Sequence, residues 1–140
     1  MVYPILAVKD VDASIAFYIE KLGFEKDMAL PNAEGKTAFA FVSLGKEPVG
    51  FGLDETLKVE RGAGVVLMIS VAEGTDVDEV YKSVQSKGIA IEQEIKTEYW
   101  GDRTFAVKDP DGYYICLYQT IHQPDMEHVA KVFSGEVQPE

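Results

Sequence analysis

The sequence predicts an α+β fold in which tandem βαβββ modules form a cupped mixed sheet, followed by a C-terminal helix. Three observations predict it. Two helical faces of identical spacing, Ile15/Tyr18/Ile19/Leu22 and Val77/Val80/Tyr81/Val84, stand 62 positions apart (15 to 77), each at i, i+3, i+4, i+7. One apolar run of strand length precedes each face, and three strand candidates follow it. The second set closes in a hairpin signal, where Asp109-Pro110-Asp111-Gly112 separates runs 104–107 and 113–118. Proline presets φ there and glycine accepts a positive φ, so the chain reverses.

The first module opens with an apolar, β-branched run at 2–8, in which Pro4 suits an edge or a strand start. Asp10 or Asp12 can cap the following helix by accepting from its exposed N–H groups. Gly23 stands where a left-handed cap ends it. Runs 24–30, 37–44 and 49–53 read as strands, separated by turn regions at 31–36 and 45–48. Residues 55–64 are polar with two glycines and read as a linker.

The second module repeats this order with a strand at 65–71, Thr75 as helix cap with Asp78 three residues on, and Gly88 as the terminator. A weaker strand lies at 89–95, and the hairpin supplies the last two. On its second strand Tyr114, Cys116 and Tyr118 share one face, and Tyr113, Ile115 and Leu117 the other. A final helix is expected over 123–133, with Pro124 in its first turn and Met126, Val129, Ala130 and Phe133 on one side. That stripe suggests packing on the domain or on a second subunit, and 134–140 reads as a loose tail. The domain spans 1–120, with modules at about 1–54 and 64–120, and 121–140 is an appendage.

A chain of 140 residues can bury one core without disulfides or metals. Its longest strongly apolar run, 65–71, is too short for a bilayer, and no leader pattern opens the chain. A single cysteine, Cys116, agrees with a reducing compartment, so the cytoplasm is expected. The net charge of −11 and pI of about 4.6 oppose binding to a phosphate backbone and favour cations. Neither nucleic acid nor membrane is an expected partner. The same acidity is also accounted for by solubility alone.

Val8-Lys9-Asp10 before Ser14-Ile15-Ala16-Phe17-Tyr18, then Leu22-Gly23-Phe24, and later Asp109-Pro110-Asp111-Gly112, resemble the vicinal oxygen chelate superfamily. This is the group of glyoxalase I, extradiol dioxygenases and bleomycin resistance proteins. The resemblance covers roughly residues 2–119 and is specific as a set of motifs. It implies paired modules around a cup, frequently completed in a homodimer. In metal-dependent members it implies a divalent ion held by His and Glu side chains.

Carried over residue by residue, the implied ligand positions fall at Tyr3, at or near Val66, at Cys116 and within 50–53. None carries the expected ligand, whereas a transition-metal site needs several imidazole or carboxylate donors converging at about 2 Å. His122 and His128 lie six apart, off any common helical face, and read as surface residues. No metal and no cofactor is therefore expected. The match is better to the metal-free, bleomycin-resistance-like branch, whose Trp-Gly-x-Arg segment resembles Trp100-Gly101-Asp102-Arg103.

The expected function is binding of a small organic ligand, aromatic or cationic, in a cup lined by Tyr3, Phe39, Phe41, Trp100, Arg103, Tyr114, Cys116 and Tyr118, in a homodimer. Trp100 beside a glycine offers a flat face for stacking, or else it packs at a strand start. Arg103 contacts an anionic group of the ligand or, on the preferred reading, pairs with a nearby carboxylate. The alternative function is a metal-dependent lyase, isomerase or dioxygenase of the same superfamily. Nucleophilic use of Cys116 would need a base that the sequence does not place beside it, and a small buried hydrophobe is the simpler account. A purely structural or regulatory dimer is the fourth reading.

Overall fold

A computed structural model describes residues 3–56 and 65–139. The expected linker therefore lies, from residue 57 to 64, outside the described residues. In chain order the elements are β1 (Ile5–Val8), α1 (Val11–Ala16) running into a π-helical turn (Phe17–Lys21), β2 (Glu25–Pro31), β3 (Thr37–Leu44) and β4 (Glu47–Leu53). They continue as β5 (Val66–Ser70), α2 (Val77–Ser86), β6 (Gln93–Thr97), β7 (Asp102–Lys108), β8 (Tyr114–Thr120) and α3 (Met126–Phe133). The βαβββ order occurs twice, as the repeated helical faces predict. The strands form two four-stranded mixed sheets, β1-β4-β3-β2 and β5-β8-β7-β6. In each, the first strand lies parallel to the fourth and the other pairs are antiparallel.

Local chemistry sets the element ends. Asp10 caps α1 by accepting from Ala13 N, and Gly23, at φ +81°, lets Phe24 N reach back to Tyr18 O at 3.0 Å. For α2 the cap is Asp76, not Thr75: it has the extended backbone directly before Val77 and accepts from Asp78 N. Thr75 N is used one step earlier, in a turn to Ala72 O. The β8 side chain of Gln119 accepts from Val77 N at 3.0 Å, which ties the helix start to the sheet. At the C-terminus Asp125 caps α3, so Pro124 precedes the helix instead of occupying its first turn. β6 also begins later than expected, because Ile89 and Ile91 pack on the core from chain that has not yet joined the ladder.

Alternation along the strands assigns the sheet faces. Leu6 and Val8, Val42, Phe51, Ile69, Phe105 and Val107, and Ile115 and Leu117 join Tyr18, Leu22, Val77 and Val84 of the helices in one core cluster. Both modules thus turn their helix-bearing faces into a shared core. Each large buried side chain there contributes about 1.5–3 kcal/mol. Tyr18 lies at its centre, with ring centroids 4.9 Å from Phe51 and 5.2 Å from Phe24. Polar contacts lock the junction, since Tyr113 Oη donates to Ala7 O at 3.0 Å and Lys9 N donates to Asp111 Oδ1 at 3.3 Å.

Of the apolar stripe expected on α3, only Val129 is buried, while Met126 and Phe133 remain exposed. Phe133 still meets the Tyr99 ring at 6.0 Å. No helix among the described residues is long and apolar enough to cross a membrane.

Candidate functional site

The faces opposite the helices carry the candidate site. On the first sheet Ile5 pairs with Gly50, and Phe41 and Phe39 pair with Gly50 and Gly52, so these side chains share one face. A Cβ on Gly50 would lie 3.0 Å from Phe41 and 3.2 Å from Ile5. The glycine leaves room for a bulky aromatic floor. Tyr3 and Phe41 meet edge-on at 5.4 Å, and Phe39 and Phe41 at 5.2 Å. The structure therefore brings Tyr3, Phe39 and Phe41 together.

On the second sheet Val66, Met68 and Ser70 of β5 pair with Tyr114, Cys116 and Tyr118 of β8. Beyond them, β7 places Ala106 opposite Cys116 and Thr104 opposite Tyr118. Neither Cys116 nor Ala106 belongs to the shared core, although both are buried. They form the floor of this second face. Its rim is the turn from Glu98 to Gly101, closed by Gly101 N donating to Glu98 O at 3.1 Å. Trp100 Nε1 donates to Asp102 Oδ2 at 3.0 Å, while Thr120 Oγ1 donates to Asp102 Oδ1 at 2.7 Å. These bonds hold the indole at the end of β7, and its ring meets Tyr99 edge-on at 5.0 Å.

Both faces are open in the single chain. Ile5 is 54% and Val66 55% exposed, and Tyr3, Leu30 and Met68 are exposed with them. Among the described residues no ring contact or hydrogen bond joins the aromatic group of the first sheet to that of the second. The expected lining residues other than Arg103 thus fall into two groups on separate faces, each a candidate half-site.

Arg103 belongs to neither. Its parity on β7 is that of Phe105 and Val107, so it points to the helix side. There Nε and Nη2 donate to Asp78 Oδ2 and Oδ1, each at 2.8 Å. That fork holds the Asp78 carboxyl below the usual carboxylate range. Arg103 is an anchor for α2, in keeping with the structural role preferred for it.

The polar residues that sequence reading passed over are Gln93, Glu98, Asp102 and Thr104. Gln93 Nε2 donates to Thr104 Oγ1 at 2.8 Å, and that hydroxyl donates to Glu98 Oε1 at 3.3 Å. Asp102 and Thr104 were legible, because they alternate with Arg103 and Phe105. Gln93 and Glu98 depend on how β6 pairs with β7, which carries no local signal.

Burial, first, and then Glu98 and Asp102 push the Cys116 thiol up to about 11. It stays protonated at neutral pH and is a poor nucleophile. His122 directs Nδ1 to Gln123 O, and among the described residues no histidine is hydrogen-bonded to the thiol. Tyr114 is raised above its usual value, chiefly by burial.

The positions implied for a metal carry Tyr3 against Phe41, Val66 opposite Tyr114, and Cys116 opposite Met68. Among the described residues, no three His, Cys, Asp or Glu side chains are grouped to hold an ion. This donor set does not fit a divalent metal in the cup. A separate groove of about 310 Å³ runs between the end of the first helix and α2, floored by Leu22, Val71 and Val84. No aromatic residue lines it, and none of the expected site residues reaches it.

The sequence model of the Glyoxalase/Bleomycin resistance protein/Dioxygenase superfamily matches residues 1–117. A probable lactoylglutathione lyase of Vibrio parahaemolyticus is 32% identical over 126 residues, covering 85% of this chain and 89% of its own. A bleomycin resistance protein of Geobacillus stearothermophilus is 29% identical over 131 residues, covering 84% and 95%. Among solved structures, TioX from Micromonospora sp. ML1 aligns with a TM-score of 0.68 at 24% identity, covering 84% of this chain and 94% of its own. A glyoxalase/bleomycin resistance protein/dioxygenase from Alicyclobacillus acidocaldarius aligns with a TM-score of 0.67 at 17% identity, covering 87% and 92%. These two structures share the fold.

Proposed function

Because the chain belongs to the Glyoxalase/Bleomycin resistance protein/Dioxygenase superfamily, we propose that it binds a small aromatic or cationic molecule, without a metal, in a cup completed by a second copy. The first-sheet face of one protomer, with Tyr3, Phe39 and Phe41, covers the second-sheet face of its partner, with Trp100, Tyr114, Cys116 and Tyr118. The observation that carries this reading is the pair of open apolar faces, on which Tyr3, Ile5, Leu30, Val66 and Met68 are exposed and Phe39, Phe41, Trp100, Tyr114 and Tyr118 are half-buried in the single chain. Contiguous apolar exposure of that kind marks an interaction surface. Stacking on aromatic rings and exclusion of water supply the affinity, and the net charge of −11 helps recruit a cation. The bleomycin resistance protein among the relatives supports the sequestering role. The relative named a probable lactoylglutathione lyase would favour a metal-dependent enzyme, but Tyr3, Val66 and Cys116 stand where such an enzyme needs donors.

Trp100 is the single tryptophan, so tryptophan fluorescence, excited selectively over the tyrosines, reports from this site alone. Titration with planar aromatic compounds is expected to shift or quench its emission saturably. Trp100→Ala is expected to weaken the binding measured by calorimetry by about 1–3 kcal/mol with thermal unfolding unchanged. Unchanged affinity with lowered stability would mean that Trp100 only packs. Saturable binding of about one Zn²⁺, Ni²⁺, Mn²⁺ or Fe²⁺ per chain, with a raised melting temperature, would overturn the metal-free reading.

A further inference from the structure

The least satisfied charge on the second half-site is Glu98. Its side chain is only 11% exposed, and among the described residues its ion pair is Oε1 to Lys96 Nζ at 3.1 Å, with a lysine that is itself 56% exposed. The Thr104 hydroxyl adds a long bond of 3.3 Å to the same oxygen. Among the described residues Oε2 takes no hydrogen bond, and it is not sealed from solvent either. A nearly buried carboxylate with one oxygen lacking a donor is therefore held on the face that carries Cys116, in the same turn as Trp100.

Covering this face with a second copy would strip the remaining water from Oε2. With Lys96 paired only at Oε1, desolvating Oε2 without a donor of its own is expensive, so the closed cup favours a positive donor there. Lys96 is a poor candidate, since its ammonium is already engaged at Oε1 and lies at the rim. Asp102 is no competitor, because both of its oxygens are taken by Trp100 and Thr120.

We propose that Glu98 selects the ligand: it accepts a hydrogen bond from the protonated nitrogen of a planar aromatic amine or amidine whose ring stacks on Trp100. The inference rests on the binding function proposed above and narrows its ligand class from aromatic or cationic to aromatic and cationic. Stacking fixes the plane of the ring, and Oε2 then fixes which edge carries the charge. A neutral ring of equal size keeps the stack and loses the ion pair.

The test compares 9-aminoacridine, a cation at neutral pH, with acridine, which is neutral there, by calorimetry on the full chain. The wild type is expected to prefer the cation by at least tenfold. Glu98→Gln, which keeps the shape and removes the charge, is expected to abolish that preference and leave acridine binding unchanged. Glu94→Gln removes the same charge from an exposed position of β6 and controls for the general negative field. Equal losses of cation affinity in Glu98→Gln and Glu94→Gln would overturn the role of Glu98 while leaving the pocket standing. Failure of both probes to bind the wild type or to move Trp100 fluorescence would overturn the pocket and the inference together. Should Glu98→Gln fold poorly, Glu98→Asp retains the charge and is expected to retain a preference for the cation. Loss of that preference in a folded Glu98→Asp would contradict a charge-based selection.

Discussion

Tyr18 donates its phenolic proton to Asp109 Oδ2 at 2.9 Å, across a sequence separation of 91 residues and in the buried junction of the two modules. The other carboxylate oxygen accepts from Asp111 N and Tyr113 N, each at 2.9 Å. One side chain thus shapes the hairpin turn and holds it to the first helix. Burial is the largest influence on Asp109 and raises its carboxyl above the usual range, while the three donors pull it back. Tyr18 is raised well above its usual value, chiefly by burial.

A raised carboxyl means that the folded state binds its proton more tightly than the unfolded chain. Its contribution to stability is full below the ordinary carboxylate range and is lost as pH rises through the folded-state value. Asp109→Asn keeps an oxygen for the two N–H groups, offers its amide to Tyr18 Oη and carries no charge to desolvate. The stability of Asp109→Asn relative to wild type, from urea unfolding, is expected to increase as pH rises from acid toward neutral. A relative stability that falls over that range would contradict a carboxylate strained by burial.

Gly101 holds the Trp100 turn at φ +99°, and its carbonyl accepts from Ile121 N at 2.9 Å and His122 N at 3.3 Å. A Cβ there would collide with the His122 carbonyl oxygen. Gly101→Ala is therefore expected to cost about 1–3 kcal/mol from backbone strain alone, and to shift Trp100 emission even without ligand. Unfolding and emission spectra like those of the wild type would show that the turn is not held so closely.

Arg103→Ala should separate anchoring from ligand contact. The loss of a partly exposed, forked pair is expected to lower stability by about 1 kcal/mol. Because the Asp78 carboxyl is depressed, with its hydrogen bond to Arg103 the largest cause, that contribution is present above the ordinary carboxylate range and lost as pH falls through the folded-state value. Ligand affinity is expected to stay unchanged. Weakened binding without loss of stability would return Arg103 to the cup.

Ser14 is fully buried in α1, and among the described residues its Oγ has no hydrogen-bond partner. Ser14→Ala removes an unpaid desolvation and places a better helix former. Urea unfolding is expected to show a gain of about 1 kcal/mol, and a loss would point to a partner for the hydroxyl.

The architecture was legible because its signals are local and repeated. The two helical faces, Asp10, Gly23, Gly88 and the Asp109–Gly112 turn each fix an element by chemistry within a few residues. Misplacements occurred where adjacent residues compete for one role: Asp76 displaces Thr75 as a cap, and Asp125 starts α3 beyond Pro124. Half of the candidate site was legible in the same way, since alternation groups Phe39 with Phe41 and Tyr114 with Cys116 and Tyr118. The same parity, taken from Phe105 and Val107, places Arg103 on the helix side. Glu98 was not legible, because its burial depends on Thr104, Gln93 and a turn that folds it back over β7. That the two aromatic groups lie on separate open faces depends on how the modules pack, through Tyr18 and Asp109, and no local pattern encodes it.

The central claim, that each cup is built from two copies, is tested most directly by a mixed dimer of Trp100→Ala and Phe41→Ala chains, purified through two different tags. Its only tryptophan belongs to the Phe41→Ala chain, whose second sheet would face the intact first sheet of its partner. We predict that this mixed dimer binds 9-aminoacridine with wild-type affinity at half the wild-type number of sites, with full quenching of Trp100, while neither parent homodimer does. A mixed dimer as defective as its parents, or a chain that remains monomeric while binding fully, would contradict the account.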